Sequence, residues 1–137
     1  MVREIMREVE FLKQPSRPAS AADASIADDL MDTLKANAGG CVGMAANMIG
    51  EAVRIIAFED GALYAEMFNP KLLKKADPYE AEEGCLSLLG GPRKTQRFRK
   101  IKVEFETLNF QKRIKTFTGW TAQIIQHEID HCNGVLI

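Results

Sequence analysis

The sequence predicts an α+β fold, in which small antiparallel sheets pack around one central helix near the C-terminal end. Three patterns carry this prediction: a helical repeat of apolar residues that begins near residues 20–23, an alternation of apolar and charged residues over 100–107, and a second helical repeat over 121–132. The 137 residues are enough for one hydrophobic core and few for two, so we expect a single domain over 1–137.

The first twenty residues contain Pro15 and Pro18 and are predicted to be irregular. We expect the helix that follows to end at Gly39-Gly40, because glycine commonly lies just beyond a helix C-terminus. No lysine with a following Ser or Thr comes after these glycines, which argues against a phosphate-binding loop. The apolar residues that share one face of this helix are Ile26, Leu30, Met31 and Leu34.

A first pair of strands is predicted in the middle of the chain. Residues 53–58 form a short run with several β-branched side chains, which is typical of a strand. A turn at Gly61 leads into a second strand over 62–68. Asn69 and Pro70 should end that strand, because proline has no N–H to donate to a neighbouring strand.

A second pair of strands and the last helix follow. Residues 100–107 alternate as a half-buried strand does, and the chain turns near Asn109 into a strand that passes through Phe117. The last helix is predicted over 121–132, with Gly134 as its stop. Its predicted buried face consists of Ala122, Ile125 and Ile129.

Residues 93–100 are strongly basic and are predicted to form a solvated loop that leads into an edge strand. In the alternative interpretation one arginine, Arg97, orders Asp130 or guides a peptide or ribosomal partner. Trp120, just before the last helix, is predicted to lie in the core.

Composition and charge narrow the class of protein. Hydrophobic residues make up 46% of the chain and charged residues 27%, both ordinary for a globular protein. The formal net charge of −1 argues against general binding to nucleic acids or anionic membranes. No apolar run approaches membrane-spanning length, and the first ten residues are too charged for a secretory signal. Three cysteines without a framework spacing favour the reducing cytoplasm.

Both histidines of the chain lie four residues apart, in the run QHEIDH at 126–131. On a helix this spacing puts His127 and His131 on one face, where both imidazoles can reach a single metal ion. Glu128 lies beside them, close enough to move protons during hydrolysis. This H-E-x-x-H arrangement is typical of metal-dependent hydrolases.

A catalytic metal site of this type needs a third protein ligand. Only six residues follow His131 and none is an acid or a histidine, while Cys132 points about 100° around the helix. The ligand should therefore come from upstream, where Cys41, Cys85 and many carboxylates lie. We favour Cys85, because Gly84 lets the backbone approach a site; the alternative is that Cys85 is a buried free cysteine.

The runs EGCLS at 83–87 and QHEIDH at 126–131 resemble the second and third signature motifs of peptide deformylases. These enzymes remove the formyl group from the initiator methionine of new bacterial proteins. The first family motif is glycine, a hydrophobic residue, glycine, leucine, two alanines, any residue and glutamine. It corresponds to CVGMAANM at 41–48. The resemblance covers nearly the whole chain and implies a peptide-deformylase-like fold.

The resemblance also implies roles for individual residues. It implies one divalent metal ion, with Fe(II) as the physiological metal and Zn, Ni or Co as substitutes, held by Cys85, His127 and His131. Glu128 would be the general base, and the backbone N–H of Leu86 would stabilise the oxyanion. The residues expected to bind an N-formylmethionyl peptide are Val42, Gly43, Glu83, Trp120 and Ile124, which would put Trp120 near the methionine side-chain pocket.

Met48 departs from the family pattern, because it stands where the motif has the glutamine that donates a hydrogen bond to the oxyanion. A thioether has no donor, and losing one such donor typically costs about 2.7–4 kcal/mol of transition-state stabilisation. Either the enzyme is slower, or another donor such as Asn47 compensates, or the chain has a role other than catalysis. Cys41 replaces the first glycine of the same motif.

We therefore expect a metal-dependent deformylase that releases formate, acts in the cytoplasm and makes at most a transient ribosome contact. We expect no specific nucleic-acid partner and no membrane partner. The main alternative is a deformylase-like metal protein with weak or no catalysis that binds formylated or methionine-headed peptides. A structural or sequestering metal protein and a metallopeptidase that cuts internal bonds are further alternatives.

Overall fold

Three α-helices and five β-strands form the fold in the computed structural model, which describes residues 1–137 apart from the side chain of Leu89. Two turns of 3₁₀-helix, Ala21–Asp23 and Ala46–Ile49, complete the regular structure. The remaining elements in chain order are α1 (Val9–Leu12), α2 (Ala24–Ala36), β1 (Gly43–Ala45), β2 (Ile55–Asp60), β3 (Leu63–Cys85), β4 (Leu88–Glu106), β5 (Lys112–Thr118) and α3 (Gly119–Cys132).

The strands form one antiparallel sheet in the order β1-β2-β3-β4-β5, so each strand pairs with its neighbour in sequence. The α+β prediction is confirmed. The strands belong to one sheet instead of several small ones, because β3 and β4 span 23 and 19 residues and connect the β2 side of the sheet to β5.

The prediction that Asn69 and Pro70 end a strand is wrong, since β3 continues to Cys85. Asn69 adopts a positive φ of 52°, and the register between β3 and β4 shifts between Phe68 and Lys71. A bulge of this kind leaves a residue outside the ladder, so a proline can be accommodated without ending the strand.

The prediction of a solvated loop over residues 93–100 is also wrong, because this stretch lies within β4. Its basic residues pair across the sheet with the acidic end of β3: Lys94 lies opposite Glu82, and Arg93 lies opposite Glu83. Opposite charges at directly paired positions stabilise an antiparallel ladder. The positive charges of this stretch are therefore explained by the acidic residues of β3 that lie opposite them.

Both long helices lie where they were predicted. Ser20 and Asp23 form a capping box before α2, in which the Ser20 backbone N–H donates to Asp23 Oδ2 at 2.9 Å. The predicted buried face of α3 is confirmed, and it packs against β4, β1 and β2. The apolar residues that meet this face include Ile56, Phe58, Ile101, Val103 and Phe117.

All three cysteines are free thiols. Within the described residues, none of the helices combines the length and apolar character needed to cross a lipid bilayer.

Candidate active site

Three predicted ligands converge in the structure: Cys85, His127 and His131. Cys85 precedes His127 by 42 positions in the sequence. Cys85 is the last residue of β3, and both histidines lie on α3. One ligand atom from each of the three lies within 4.8 Å of the others. The Nε2 atoms of the two imidazoles are 2.9 Å apart, so both rings point the same nitrogen at the same place. The structure thus brings together the three predicted ligands.

A buried acidic side chain orients His127 through the ring nitrogen that does not face the cluster. Glu83 Oε1 lies 2.8 Å from His127 Nδ1, which leaves Nε2 free to face the cluster. Arg97 holds Glu83 through both its Nε and Nη2 groups and also donates to Asp130 Oδ2 at 2.6 Å. Burial opposes ionisation of Glu83, but the hydrogen bonds from His127 and Arg97 lower its pKa to about 2. The contact between Arg97 and Asp130 therefore supports the alternative in which Arg97 orders Asp130.

Two further side chains extend this network, and no sequence pattern pointed to them. Gln123 Nε2 donates to Glu83 Oε2 at 2.9 Å, and the Tyr79 hydroxyl donates to Gln123 Oε1 at 2.9 Å. Tyr79 lies on β3 and Gln123 on α3, so the contact depends on how the helix packs on the sheet.

The chemistry of the donor set fits a divalent cation. Burial opposes protonation of His127, yet its hydrogen bond to the Cys85 sulfur and the nearby carboxylates raise its pKa to about 10. This position therefore attracts positive charge, which a metal ion would supply in place of the proton. Burial lowers the pKa of His131 to about 3, which keeps that imidazole neutral, as a metal ligand must be. One thiolate and two imidazoles make three protein ligands with a fourth position open.

Glu128 lies beside this cluster, 3% exposed, and its Oε1 atom has no hydrogen-bond partner among the described residues. Burial raises its pKa to about 7. A carboxylate without a fixed partner and with a pKa near neutrality is suited to accept and return a proton.

Gly43 of β1 allows α3 to come this close. A Cβ atom at Gly43 would lie 2.7 Å from Ile124 Cγ2 and 2.8 Å from Glu128 Oε2. Both distances are shorter than carbon–carbon and carbon–oxygen contacts permit. The motif glycine is thus required by the packing of β1 against the helix that carries Glu128.

We expect Gly43→Ala to lower kcat/KM for a formylated peptide by about a hundredfold, because a side chain displaced by about 1 Å can cost that much. Metal content should stay unchanged, since no ligand touches Gly43. Steady-state kinetics on the metal-loaded variant measures the effect. Gly39→Ala is the matched control, because a Cβ at Gly39 meets no atom within 4 Å. Equal kinetics for the two variants would contradict the steric role of Gly43.

A cavity of about 430 Å³ opens beside the cluster, which is within the usual range for small-ligand sites. All five predicted substrate-binding residues line it, as do Cys41, Met48, Leu86, Gln123 and Glu128. The prediction that Trp120 lies in the core is wrong: the side chain is 60% exposed and forms part of the cavity wall. The resemblance implied a place near the methionine side-chain pocket, which agrees with the position of Trp120 at the cavity wall.

Met48 and Asn47 have different surroundings. Met48 is buried and lines the cavity. Asn47 does not line it, and its Nδ2 atom donates instead to the backbone oxygen of His131 at 2.9 Å. Asn47 therefore does not supply the oxyanion donor that Met48 lacks.

Comparison with known proteins gives one consistent answer. The family model described as polypeptide deformylase matches residues 3–137. The chain belongs to the peptide deformylase family. It is 50% identical to a peptide deformylase of Clostridium beijerinckii over 137 residues, covering all of both chains. It is 34% identical to peptide deformylase 2 of Clostridium acetobutylicum, covering 96% of this chain and 89% of the other.

Solved deformylase structures have the same fold. A class I type b peptide deformylase from Acinetobacter baumannii, solved with Met-Ala-Ser bound, superposes with a TM-score of 0.89 at 28% identity and covers 99% of this chain and 97% of that one. The enzyme from Thermotoga maritima superposes with a TM-score of 0.89 at 26% identity, covering 99% and 95%.

The function follows from the family. The protein is a hydrolase that removes the N-formyl group from the initiator methionine of nascent polypeptides and releases formate. The alternative, a deformylase-like protein that only binds such peptides, is not favoured. Peptide deformylases are metal-dependent, and the Cys/His/His cluster is a site where a metal ion could bind.

Proposed function

We propose that this deformylase holds one divalent ion through Cys85, His127 and His131 and uses Glu128 as its general base. The observation that carries the proposal is the convergence of the three ligand atoms within 4.8 Å, beside a cavity that Glu128 and His127 line. A divalent ion bound there would polarise the formyl oxygen and acidify the attacking water.

Fe(II) is the physiological metal in this proposal, with Zn, Ni or Co able to take its place. A thiolate and two imidazoles suit several of these ions, so the donor set supports the site without choosing the metal. The hydrogen bond between Glu83 and His127 supports the assignment, because metal-binding histidines usually give their other ring N–H to a carboxylate or carbonyl.

The residues of the chain then carry out the proton transfers. Glu128 takes a proton from the attacking water as its oxygen bonds to the formyl carbon. The backbone N–H of Leu86, on the turn between β3 and β4 and at the cavity wall, donates to the oxyanion that forms. Glu128 returns the proton to the leaving nitrogen as the C–N bond breaks, which gives formate and a free amine.

The cavity supports the substrate assignment. In this proposal the methionine side chain would lie against Val42, Ile124 and Trp120, which line the cavity together with Gly43 and Glu83. The partner is an N-formylmethionyl peptide, met in the cytoplasm as it leaves the ribosome, with at most a transient ribosome contact.

Turnover of formyl-Met-Ala-Ser by anaerobically purified, iron-loaded protein tests this proposal. We expect formate release in proportion to bound metal and loss of activity when a chelator removes the metal. A protein that bound the peptide and one equivalent of metal but released no formate would contradict it.

Met48 gives a further prediction. We expect Met48→Gln to raise kcat, because the new amide can donate to charge that exists only in the transition state. Full recovery of a missing oxyanion donor corresponds to about a hundredfold or more. The gain should be smaller, since the surroundings of Met48 are shaped around a thioether, and KM should change little.

Met48→Leu, which keeps the volume without a donor, is the control and should leave kcat unchanged. An unchanged kcat in Met48→Gln would contradict the assignment of this position.

A further inference from the structure

The second ring nitrogens of the two site histidines have different surroundings. His127 Nδ1 is hydrogen-bonded to Glu83 at 2.8 Å. His131 is 1% exposed, and its Nδ1 atom has no hydrogen-bond partner among the described residues. A histidine that binds a metal through Nε2 carries its proton on Nδ1, and in metal sites that N–H is almost always donated to an acceptor. His131 therefore needs an acceptor that has not yet been assigned.

Asn47 has a matching unpaired atom. Its side chain is 1% exposed, and its Nδ2 atom donates to the backbone oxygen of His131 at 2.9 Å. Its other polar atom, Oδ1, is a buried acceptor with no partner among the described residues. The two unpaired atoms thus belong to residues that are already hydrogen-bonded to each other, one a donor and one an acceptor. Buried groups of this kind are normally satisfied by each other or by a shared water.

The position of Asn47 in the fold suits such a role. It lies in the 3₁₀ turn Ala46–Ile49, which packs against α3, and unlike Met48 of the same turn it does not line the cavity. Because Asn47 does not line the cavity and its amide contacts His131, we expect its effect on the reaction to pass through His131.

We propose that Asn47 is a positioning residue for His131. Its Oδ1 accepts the Nδ1–H of His131 through one buried water, while its Nδ2 donates to the His131 backbone oxygen. Together the two contacts fix the tautomer and ring orientation that leave Nε2 free to bind the metal. The inference rests on the proposed ligand set, because it assigns a partner to one of its members.

Two other buried acceptors near this end of α3 have no partner among the described residues: Glu128 Oε1, whose side chain lines the cavity, and Ser16. The unpaired atom of Ser16 is its hydroxyl oxygen, and the Ser16 backbone N–H donates to the Cys132 oxygen at 2.8 Å. Ser16 is tied to the residue after His131, whereas Asn47 is tied to His131 itself. A test must therefore separate the two.

The test measures the affinity of the purified chain for Zn(II) by competition with a chromophoric chelator. We expect Asn47→Leu, which keeps a similar volume without polar atoms, to bind Zn(II) 10–100-fold more weakly, the usual effect of losing such a partner. Asn47→Asp keeps the acceptor but loses the donor to the His131 backbone oxygen, so its affinity should fall less than that of Asn47→Leu. Asn69→Ala is the matched control, because Asn69 also joins distant segments through its amide, to Ala19, but lies away from the cluster.

A measurement on the unaltered protein covers the case in which Asn47→Leu does not fold. In the Zn-loaded protein, the ¹⁵N-detected imidazole spectrum should show His131 protonated at Nδ1, with that proton protected from solvent exchange. Rapid exchange of this proton would overturn the inference. So would unchanged Zn(II) affinity in Asn47→Leu, or a loss of affinity in Ser16→Ala but not in Asn47→Leu.

The ligand set can be checked separately. If His131→Ala binds Zn(II) as tightly as the unaltered protein, the ligand set is wrong and the role of Asn47 is overturned with it. If His131→Ala loses Zn(II) while Asn47→Leu keeps it, the ligand set stands and the role of Asn47 alone is overturned.

Discussion

Glu128→Gln is expected to keep its metal and to lose about 10²–10⁴-fold in turnover, the usual contribution of a general acid–base residue. The amide has nearly the same shape as the carboxylate, so it should fit between Gly43 and Ile124, but it cannot accept a proton from water. Glu128 is not among the three residues whose ligand atoms converge, which is why the variant should keep its metal.

Metal analysis together with kcat for formyl-Met-Ala-Ser decides this prediction. Glu66→Gln is the matched control, because Glu66 is a partly buried glutamate of β3 whose pKa is also raised by burial, and it does not line the cavity. Near-normal turnover in Glu128→Gln would rule out Glu128 as the base. Loss of metal from the same variant would mean that Glu128 coordinates it.

The sequence predicted those elements whose signals are local. The positions of α2 and α3 follow from apolar residues three and four apart, and the strand over 100–107 follows from alternation. The course of β3 beyond Asn69 could not be predicted in this way, because what continues the strand is pairing with β4. This pairing runs from Lys71 with Glu104, 33 positions further on, to Cys85 with Leu88. A local breaker such as Pro70 is overridden when a partner strand supplies the hydrogen bonds on both sides of a bulge.

The same distinction holds for the residues of the site: some have a local sequence signal and others are brought together only by the fold. The helical spacing of His127 and His131 predicts a shared ligand position without reference to the rest of the chain. Glu83 and Arg97 are each ordinary surface residue types, and only the packing of α3 on β3 and β4 makes them a buried pair behind His127. The prediction for Trp120 failed for a related reason. Its size favours the core, and no sequence pattern distinguishes a tryptophan that lines a cavity.

Met48 stands at the position of the family's oxyanion donor, and the adjacent Asn47 was the candidate to replace that donor. The backbone directs the two side chains to different places. Successive side chains of a 3₁₀ turn point about 120° apart, since the turn has three residues. Met48 faces the cavity, and Asn47 consequently faces the C-terminal end of α3, where its amide meets the His131 carbonyl. Sequence alone cannot give that direction, because the length of the turn before Gly50 is set by the tertiary fold.

Cys85→Ala is expected to reduce bound metal from about one equivalent per chain to near zero and to abolish deformylation with it. Two imidazoles without a third protein ligand fall short of the set that catalytic zinc-type sites use. No other thiol can replace it: burial raises the pKa of Cys41 to about 12, and the Cys41 thiol donates to the Gly43 carbonyl at 3.0 Å. Burial likewise raises the pKa of Cys132 to about 12.

Cys41→Ala is the matched control for this change, because Cys41 also lines the cavity but is not among the three residues whose ligand atoms converge. It should keep its metal and most of its activity, since alanine is close in size to cysteine and the lost hydrogen bond from sulfur is a weak one. Metal analysis of both variants, purified anaerobically, gives the answer. If Cys41→Ala loses the metal and Cys85→Ala keeps it, the ligand assignment fails. Glu128 and Leu86 would then lose their proposed roles too, because both roles assume a metal held by Cys85, His127 and His131.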